Sequence, residues 1–358
     1  MAYISFKPTD FFNTKLWSGN SSTQSITGVG FQPDYISVKR RNTGANNWRT
    51  ANAIEGSLYS MMWNLGNESS SLANTITSFD ADGFSLGNNA SYVSNFNETG
   101  GTYVGYNWKM ATTSGITAGT QTITPTSYRI NTTSKQGIYK FTGNGTSGAT
   151  IAHGLGGTPG LIMVKKVSAS GSWMVYHKSM GGTKTGYLES AGAFGSGTAV
   201  WNSVDQGSTY ITLGNDADVN GSGADFLMYV FCDVPGYFYS GQYLGNGENG
   251  DPSPMINCGF QPAFVIIKEA DSGSGWCIWD NKRPDENPGY WNPNSNFLQA
   301  QDTGVESNNT NLSLDFKGTG FKIANSAGDT NGNGNHYLVM AWGNQPLIGS
   351  GGTPGLAR

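Results

Sequence analysis

The residues of this chain whose types could do chemistry are three histidines, one close pair of aspartates and a set of Asp/Asn-rich loops. The histidines are His153, His177 and His336, and His153 opens His153-Gly154-Leu155-Gly156, a turn in which an imidazole commonly caps backbone groups. There is no Gly-x-Ser-x-Gly elbow, no Cys-His pairing in a sensible context, and no His-x-x-x-His or Cys-x-x-Cys spacing, which argues against a nucleophilic or zinc hydrolase. Asp80 and Asp82 would share a face if extended, and a glycosidase needs two carboxyl groups roughly 5 to 9.5 Å apart. Asp80-Ala81-Asp82-Gly83 is equally an ordinary turn, and the corresponding turns farther along, Ser208-Thr209 and Gly318-Thr319, carry no such pair.

Calcium is the next chemistry to weigh. Asp329-Thr330-Asn331-Gly332-Asn333-Gly334-Asn335 matches the first half of an EF-hand loop, with oxygens at alternate places and a Gly at the sixth. The twelfth place, which requires a bidentate Glu, is Met340. A related loop holds Asp216 and Asp218 within 215–220, and a third, 88–100, carries Tyr92 and Phe96. Those aromatics either stack on a sugar or another subunit, or lie buried beneath their own loop. Contact candidates are therefore Tyr92, Phe96, Asp216, Asp218, Asp329, Asn331 and Asn333. No catalytic residue, bound metal or cofactor is expected.

The elements that carry these loops are written three times. A Pro-led strand reads Pro33 then Tyr35-Ile36-Ser37-Val38-Lys39, returns as Pro159 then Leu161-Ile162-Met163-Val164-Lys165, and returns again as Pro262 then Phe264-Val265-Ile266-Ile267-Lys268. A Trp follows each Lys, at Trp48, Trp173 and Trp276. Before the Pro-led strand stands an opening strand ending in aromatic-x-Gly-Asn, as in Trp17-Ser18-Gly19-Asn20, where Gly-Asn is expected to supply positive φ for a tight turn. After it come the Trp strand, a short alternating strand (Phe84-Ser85-Leu86, Ile211-Thr212-Leu213, Phe321-Lys322-Ile323) and a closing strand (Tyr103 to Trp108, Phe226 to Phe231, Tyr337 to Trp342).

The unbroken apolar run of the Pro-led strand predicts a central position with both faces buried. Only the stretch Gly56 to Asn67 suggests a short helix. The fold expected is all-β: three tandem β-sandwich, jelly-roll-like modules in series, each filling its own aromatic core. The divisions fall at 1–110, a Thr/Ser-rich connector 111–136, 137–234, 235–343, and an extended tail 344–358.

Composition agrees with many short strands joined by tight turns. The chain has 358 residues, 52 Gly, 17 Phe, 17 Tyr and 10 Trp, but only 12% charged residues. A net charge of −4 without a basic cluster beyond Lys39-Arg40-Arg41 argues against a nucleic-acid partner. No run of 18 apolar residues suggests membrane insertion, and the start lacks the pattern of a signal peptide. Three cysteines, Cys232, Cys258 and Cys277, read as buried small hydrophobes rather than disulfide partners.

Phe6-Lys7-Pro8-Thr9-Asp10-Phe11-Phe12-Asn13, Ile26 to Asp34, Thr77 to Phe84 and Tyr103 to Trp108 together resemble a tandem-repeat β-domain family of tailed bacteriophages, mostly marine. Tyr139 to Gly145 and His153-Gly154-Leu155-Gly156 are similar to that family's later repeats, although the third copy has Asn257-Cys258-Gly259-Phe260 where the His motif would stand. The resemblance covers nearly the whole chain and carries no catalytic residues over. It implies a structural virion protein of the tail or its fibres, made in the host cytoplasm. Its partners would be other virion proteins, with a possible homo-oligomer, docking through the segment up to Asn13 or the C-terminal tail. The alternative is a module that recognises a host surface glycan through its aromatic loops.

Overall fold

The structure is a computed structural model describing residues 6–116, 119–283 and 294–346. Nearly all its regular structure is β. One six-stranded sheet has the order Phe12–Ser18, Thr102–Trp108, Tyr35–Arg40, Arg49–Asn52, Gly56–Met61, Ser70–Ser71. The second copy builds the same sheet from Gln136–Thr142, Asp225–Cys232, Pro159–Lys166, Trp173–His177, Lys184–Tyr187 and Gly195–Ser196, with Ser127–Asn131 added outside Gln136–Thr142. The third uses Phe238–Leu244, His336–Pro346, Phe260–Glu269, Trp276–Asp280, Asn296–Gln299 and Ser307–Asn308. Every pairing within these sheets is antiparallel.

In each sheet the closing strand lies between the opening strand and the Pro-led strand. Both faces of the Pro-led strand are covered, and all six residues of Tyr35–Arg40 are buried. A small sheet containing the alternating strand packs against one face of each large sheet. In the first copy, Ile36, Val38 and Tyr103 of the large sheet meet Ile26, Phe84 and Leu86 of the small one. Comparable clusters centre on Ile162, Trp201 and Met228 in the second copy and on Val265, Trp279 and Phe321 in the third.

The largest core belongs to no single copy. The other faces of the three large sheets converge on one apolar cluster that holds Trp48, Tyr106 and Trp108, Trp173 and Tyr229, and Phe264, Trp276 and Trp342 together. Trp108 lies 6.3 Å from Phe231 and 5.8 Å from Trp342, centroid to centroid, so rings from all three copies touch. A core within each copy is expected and is present between its large and small sheets, but the copies do not stand merely in series, because this further core joins all three. A sheet with bulky apolar residues on both faces must bury both, and here the second face is buried against its siblings.

Two local expectations are also corrected. Gly56–Met61 is a strand rather than a helix, because the neighbouring Arg49–Asn52 strand offers it backbone partners. The glycines of the aromatic-x-Gly-Asn motif do not serve by positive φ. A Cβ on Gly19 would lie 2.2 Å from the Glu98 carbonyl oxygen, and one on Gly245 would lie 2.2 Å from that of Gly332. The close approach of another backbone demands glycine there. Positive φ occurs two residues later, at Ser21, Gly145 and Gly247.

Candidate functional site

The repeated Lys is buried in every copy, and its ammonium is held by carbonyl oxygens, one of them from a different copy. Lys165 Nζ donates to the carbonyls of Lys166 and Gly171 and reaches Gly66 of the first copy at 3.1 Å. Lys268 Nζ donates to Glu269 and to Ala191 of the second copy. Lys39 Nζ donates to Asn46 and, at 3.4 Å, to Asp302 of the third. Burial pushes each ammonium down to about 8, with nearby acidic groups opposing the fall.

The repeated Trp bridges the same boundaries. The Trp173 indole donates to the Met62 carbonyl at 2.8 Å, Trp276 to those of Tyr187 and Ser190, and Trp48 to that of Gln299. Backbone bonds cross the same boundaries with donor and acceptor copies exchanged: the amides of Ser69, Phe194 and Glu306 donate to the carbonyls of Val167, Ala270 and Arg41. The second copy grips the first, the third grips the second, and the first grips the third. Head-to-tail contacts that return to their start make a closed ring.

The boundary between first and third copies is the most highly charged. Arg41 makes a two-pronged contact with Glu306, which also accepts from Arg283; Arg283 binds Asp280, and Asp280 accepts from the Tyr106 hydroxyl at 2.8 Å. Burial raises Glu306, but the hydrogen bonds from Arg41 and the charge of Arg283 more than offset it and hold the carboxyl below its usual range. At the positions corresponding to Asp280, the second copy has His177 and the first has Asn52. His177 Nδ1 accepts from the Ser179 amide, leaving Nε2–H to face the Val339 carbonyl at 3.3 Å. Burial pushes His177 down to about 4.

His153 has the same local arrangement, with Nδ1 accepting from Leu155 and Nε2 facing Gly207, and burial lowers it too. His336 is exposed and paired with Asp271. Asp82 accepts from the amides of Gly28 and Gly30, which lower its pKa, while Asp80 binds the hydroxyls of Ser78 and Ser85. Both carboxylates are occupied as turn residues. Cys232, Cys258 and Cys277 are buried and unpaired.

The loop candidates fall mainly into structural positions. Phe96 is buried in the first copy's core, so it cannot stack on a glycan; this corrects its assignment as a contact residue. Tyr92 is half-buried, and the Arg49 guanidinium lies 4.6 Å from its ring centroid. Asp216 caps the helical turn Ala217–Asn220 by accepting from the Asp218 amide. Asp218 accepts from Lys166 and from the Ser172 amide. Asp329 stands in the first turn of Gly328–Asn331 and Asn333 is exposed, while Asn331 is fully buried. Its amide donates to the carbonyls of Asn325 and Glu248, and its oxygen accepts from the Asn246 amide. This corrects Asn331 as a loop contact.

Asn220 and Asn97 are its counterparts. Asn220 donates to the carbonyls of Thr146 and Gly214 and accepts from Asn144; Asn97 donates to Ser22 and Gly87 and accepts from Asn20. The three clamps tie the loop before each closing strand to the turn after each opening strand. Sequence reasoning recognised the Gly-Asn turns but missed their partners, because the spacing between the two asparagines varies (97−20 is 77, 220−144 is 76, 331−246 is 85). Among the described residues, no three His, Cys, Asp or Glu side chains converge as metal ligands, and no helix is long and apolar enough to cross a membrane.

An all-β chain closed on itself by buried Lys and Trp clasps is thus the class of protein defined here. Residues 7–346 match the family described as "Domain of unknown function (DUF7483)", and the chain belongs to that family. No match was found among the curated proteins or among the solved structures.

Proposed function

We propose that the protein is a non-catalytic structural component of a tailed-phage particle, associated with the tail or its fibres. The observation that carries the reading is the fate of the repeated polar residues. Lys39, Lys165 and Lys268 are buried against carbonyls at the boundaries between copies, and each repeated Trp indole does the same. Groups retained in every copy hold the ring together, and none is free to act on a substrate. The resemblance to phage repeat proteins supplies the particle, and the closed ring suits a component that must persist outside a cell.

Immunogold labelling of purified particles with an antibody to this chain tests the proposal. Label on tails or fibres is expected. Label confined to the cytosol of infected cells would overturn it.

A further inference from the structure

Arg49 is the one arginine among the described residues that meets no carboxylate. Arg40 pairs with Glu98, Arg41 and Arg283 with Glu306, and Arg129 with Asp34. Arg49 is 6% exposed, and its Nε is shut inside without a hydrogen-bond partner. The two terminal nitrogens have no partner among the described residues either, yet they are not sealed from solvent, so the residue's small exposure lies at the tip of the fork. Burial lowers its pKa, opposed by Tyr92, whose ring centroid lies 4.6 Å from the guanidinium carbon. A cation over a ring engages its charge and leaves its in-plane N–H groups free to donate.

The fold does not call for a cation at this place. Arg49 stands opposite Val38, and the matching pairs are Val164 with Met174 and Ile267 with Cys277. Met174 and Cys277 lie in the inner cores of their copies. A buried charge without a counter-ion costs far more than either apolar side chain. Tyr92 is equally particular to the first copy, since 215–223 and 325–335, the sibling loops of 88–100, contain no aromatic residue. Two departures from the repeat thus meet each other, and Tyr92 is half-buried directly after the exposed Ala90 and Ser91.

We infer that Arg49 and Tyr92 form a binding site for the carboxylate of an acidic sugar. A planar carboxylate approaching end-on needs only the two terminal nitrogens of the fork, so Nε stays inside. The Tyr92 hydroxyl, which has no partner among the described residues, and the edge of its ring meet the sugar that carries the carboxylate. The bound anion supplies the counter-charge that the chain itself withholds. The inference goes beyond the proposed function and does not depend on it.

The test uses the full chain with a fluorescently labelled oligogalacturonate, its methyl ester and a labelled oligoglutamate peptide. Fluorescence anisotropy should show saturable binding of the acid, weakened about tenfold or more by esterification, by Arg49→Lys and by Tyr92→Leu. Arg49→Met, which installs the residue type of the second copy, should abolish binding and melt no lower than the wild type, because the unpaired charge is gone. A lower melting temperature for Arg49→Met would make Arg49 a structural cation and overturn the inference. So would the absence of saturable binding up to millimolar oligogalacturonate, equal binding of acid and ester, or binding undiminished in Arg49→Met. Tighter binding of the oligoglutamate would assign the site to an acidic peptide and overturn it as well.

Discussion

Lys165 Nζ lies 3.1 Å from the carbonyl oxygen of Gly66, a residue 99 positions earlier, and this contact joins the second copy to the first. Lys268 repeats it towards Ala191, and Lys39 towards Asp302. A buried ammonium whose hydrogen bonds all go to carbonyl oxygens is an unusual fastening, because its burial opposes its charge. Its presence at all three boundaries makes ring closure testable by several routes.

The indole bonds should be separable from indole packing. Trp173→Phe retains an aromatic ring but leaves the Met62 carbonyl without its donor, at a cost of about 1–3 kcal/mol beyond lost packing. Trp201→Phe is the control, since the Trp201 indole nitrogen has no partner. Urea unfolding should therefore show a clearly larger loss for Trp173→Phe. Equal losses would mean that the indole bond contributes nothing.

The three lysines should make stability rise with alkaline pH. Each is lowered to about 8 in the folded chain from 10.5, so between those values the unfolded chain binds more protons. Stability then increases with pH across that window, by up to about 3 kcal/mol for each lysine. Buried tyrosines such as Tyr106 and Tyr229 are raised above 10, so they reverse the trend once the unfolded chain loses its phenolic protons. Thermal melts from pH 7 to 11 should peak near 10, and replacing all three lysines by Met should flatten the rise.

His177 should contribute an acid limb. It falls to about 4 when folded, against 6.5 when unfolded, so protons bind the unfolded chain preferentially between those values. Its contribution is present above 6.5 and is lost as pH falls towards 4, by about 3 kcal/mol. His177→Gln should shallow the fall in denaturation midpoint between pH 6.5 and 4. An unchanged slope would place the acid sensitivity elsewhere.

Asn331 and Asn333 should differ sharply despite standing two residues apart. Asn331→Ala removes a buried side chain and leaves the Asn246 amide and two carbonyls without partners, costing about 2–4 kcal/mol. Asn333 is exposed, and Asn333→Ala should stay within about 0.5 kcal/mol. Chemical denaturation of the two variants checks both values.

The charged boundary should respond differently to partial and to complete replacement. Glu306→Gln weakens the anion shared by Arg41 and buried Arg283, at about 3–5 kcal/mol. Replacing Arg41, Arg283 and Glu306 together with apolar residues of similar size should cost much less. Because Glu306 is lowered in the fold, its contribution is present above about 4.5 and is lost as pH falls through the folded value. Stability measured for the wild type, single and triple variants across that range tests both statements.

Much of the architecture was legible before any coordinates. The run Tyr35 to Lys39 predicted a central strand, and Tyr35–Arg40 is one, because only a strand covered on both faces tolerates such a run. Alternation in Phe84-Ser85-Leu86 marked a strand with one dry face, and it lies in the small sheet over Ile36 and Val38. The candidate contacts fared differently. Phe96 and Asn331 lie inside, since composition cannot distinguish an aromatic or amide that covers a loop from one the loop displays.

What the sequence by itself determined is local: the strands, their periodicity, and the repetition of Lys and Trp at constant offsets. Tertiary structure alone decided what those residues touch. Lys165 meets Gly66 and Trp173 meets Met62 because the outer faces of three sheets bury one another, and that demand is collective, so no single copy's pattern can state it.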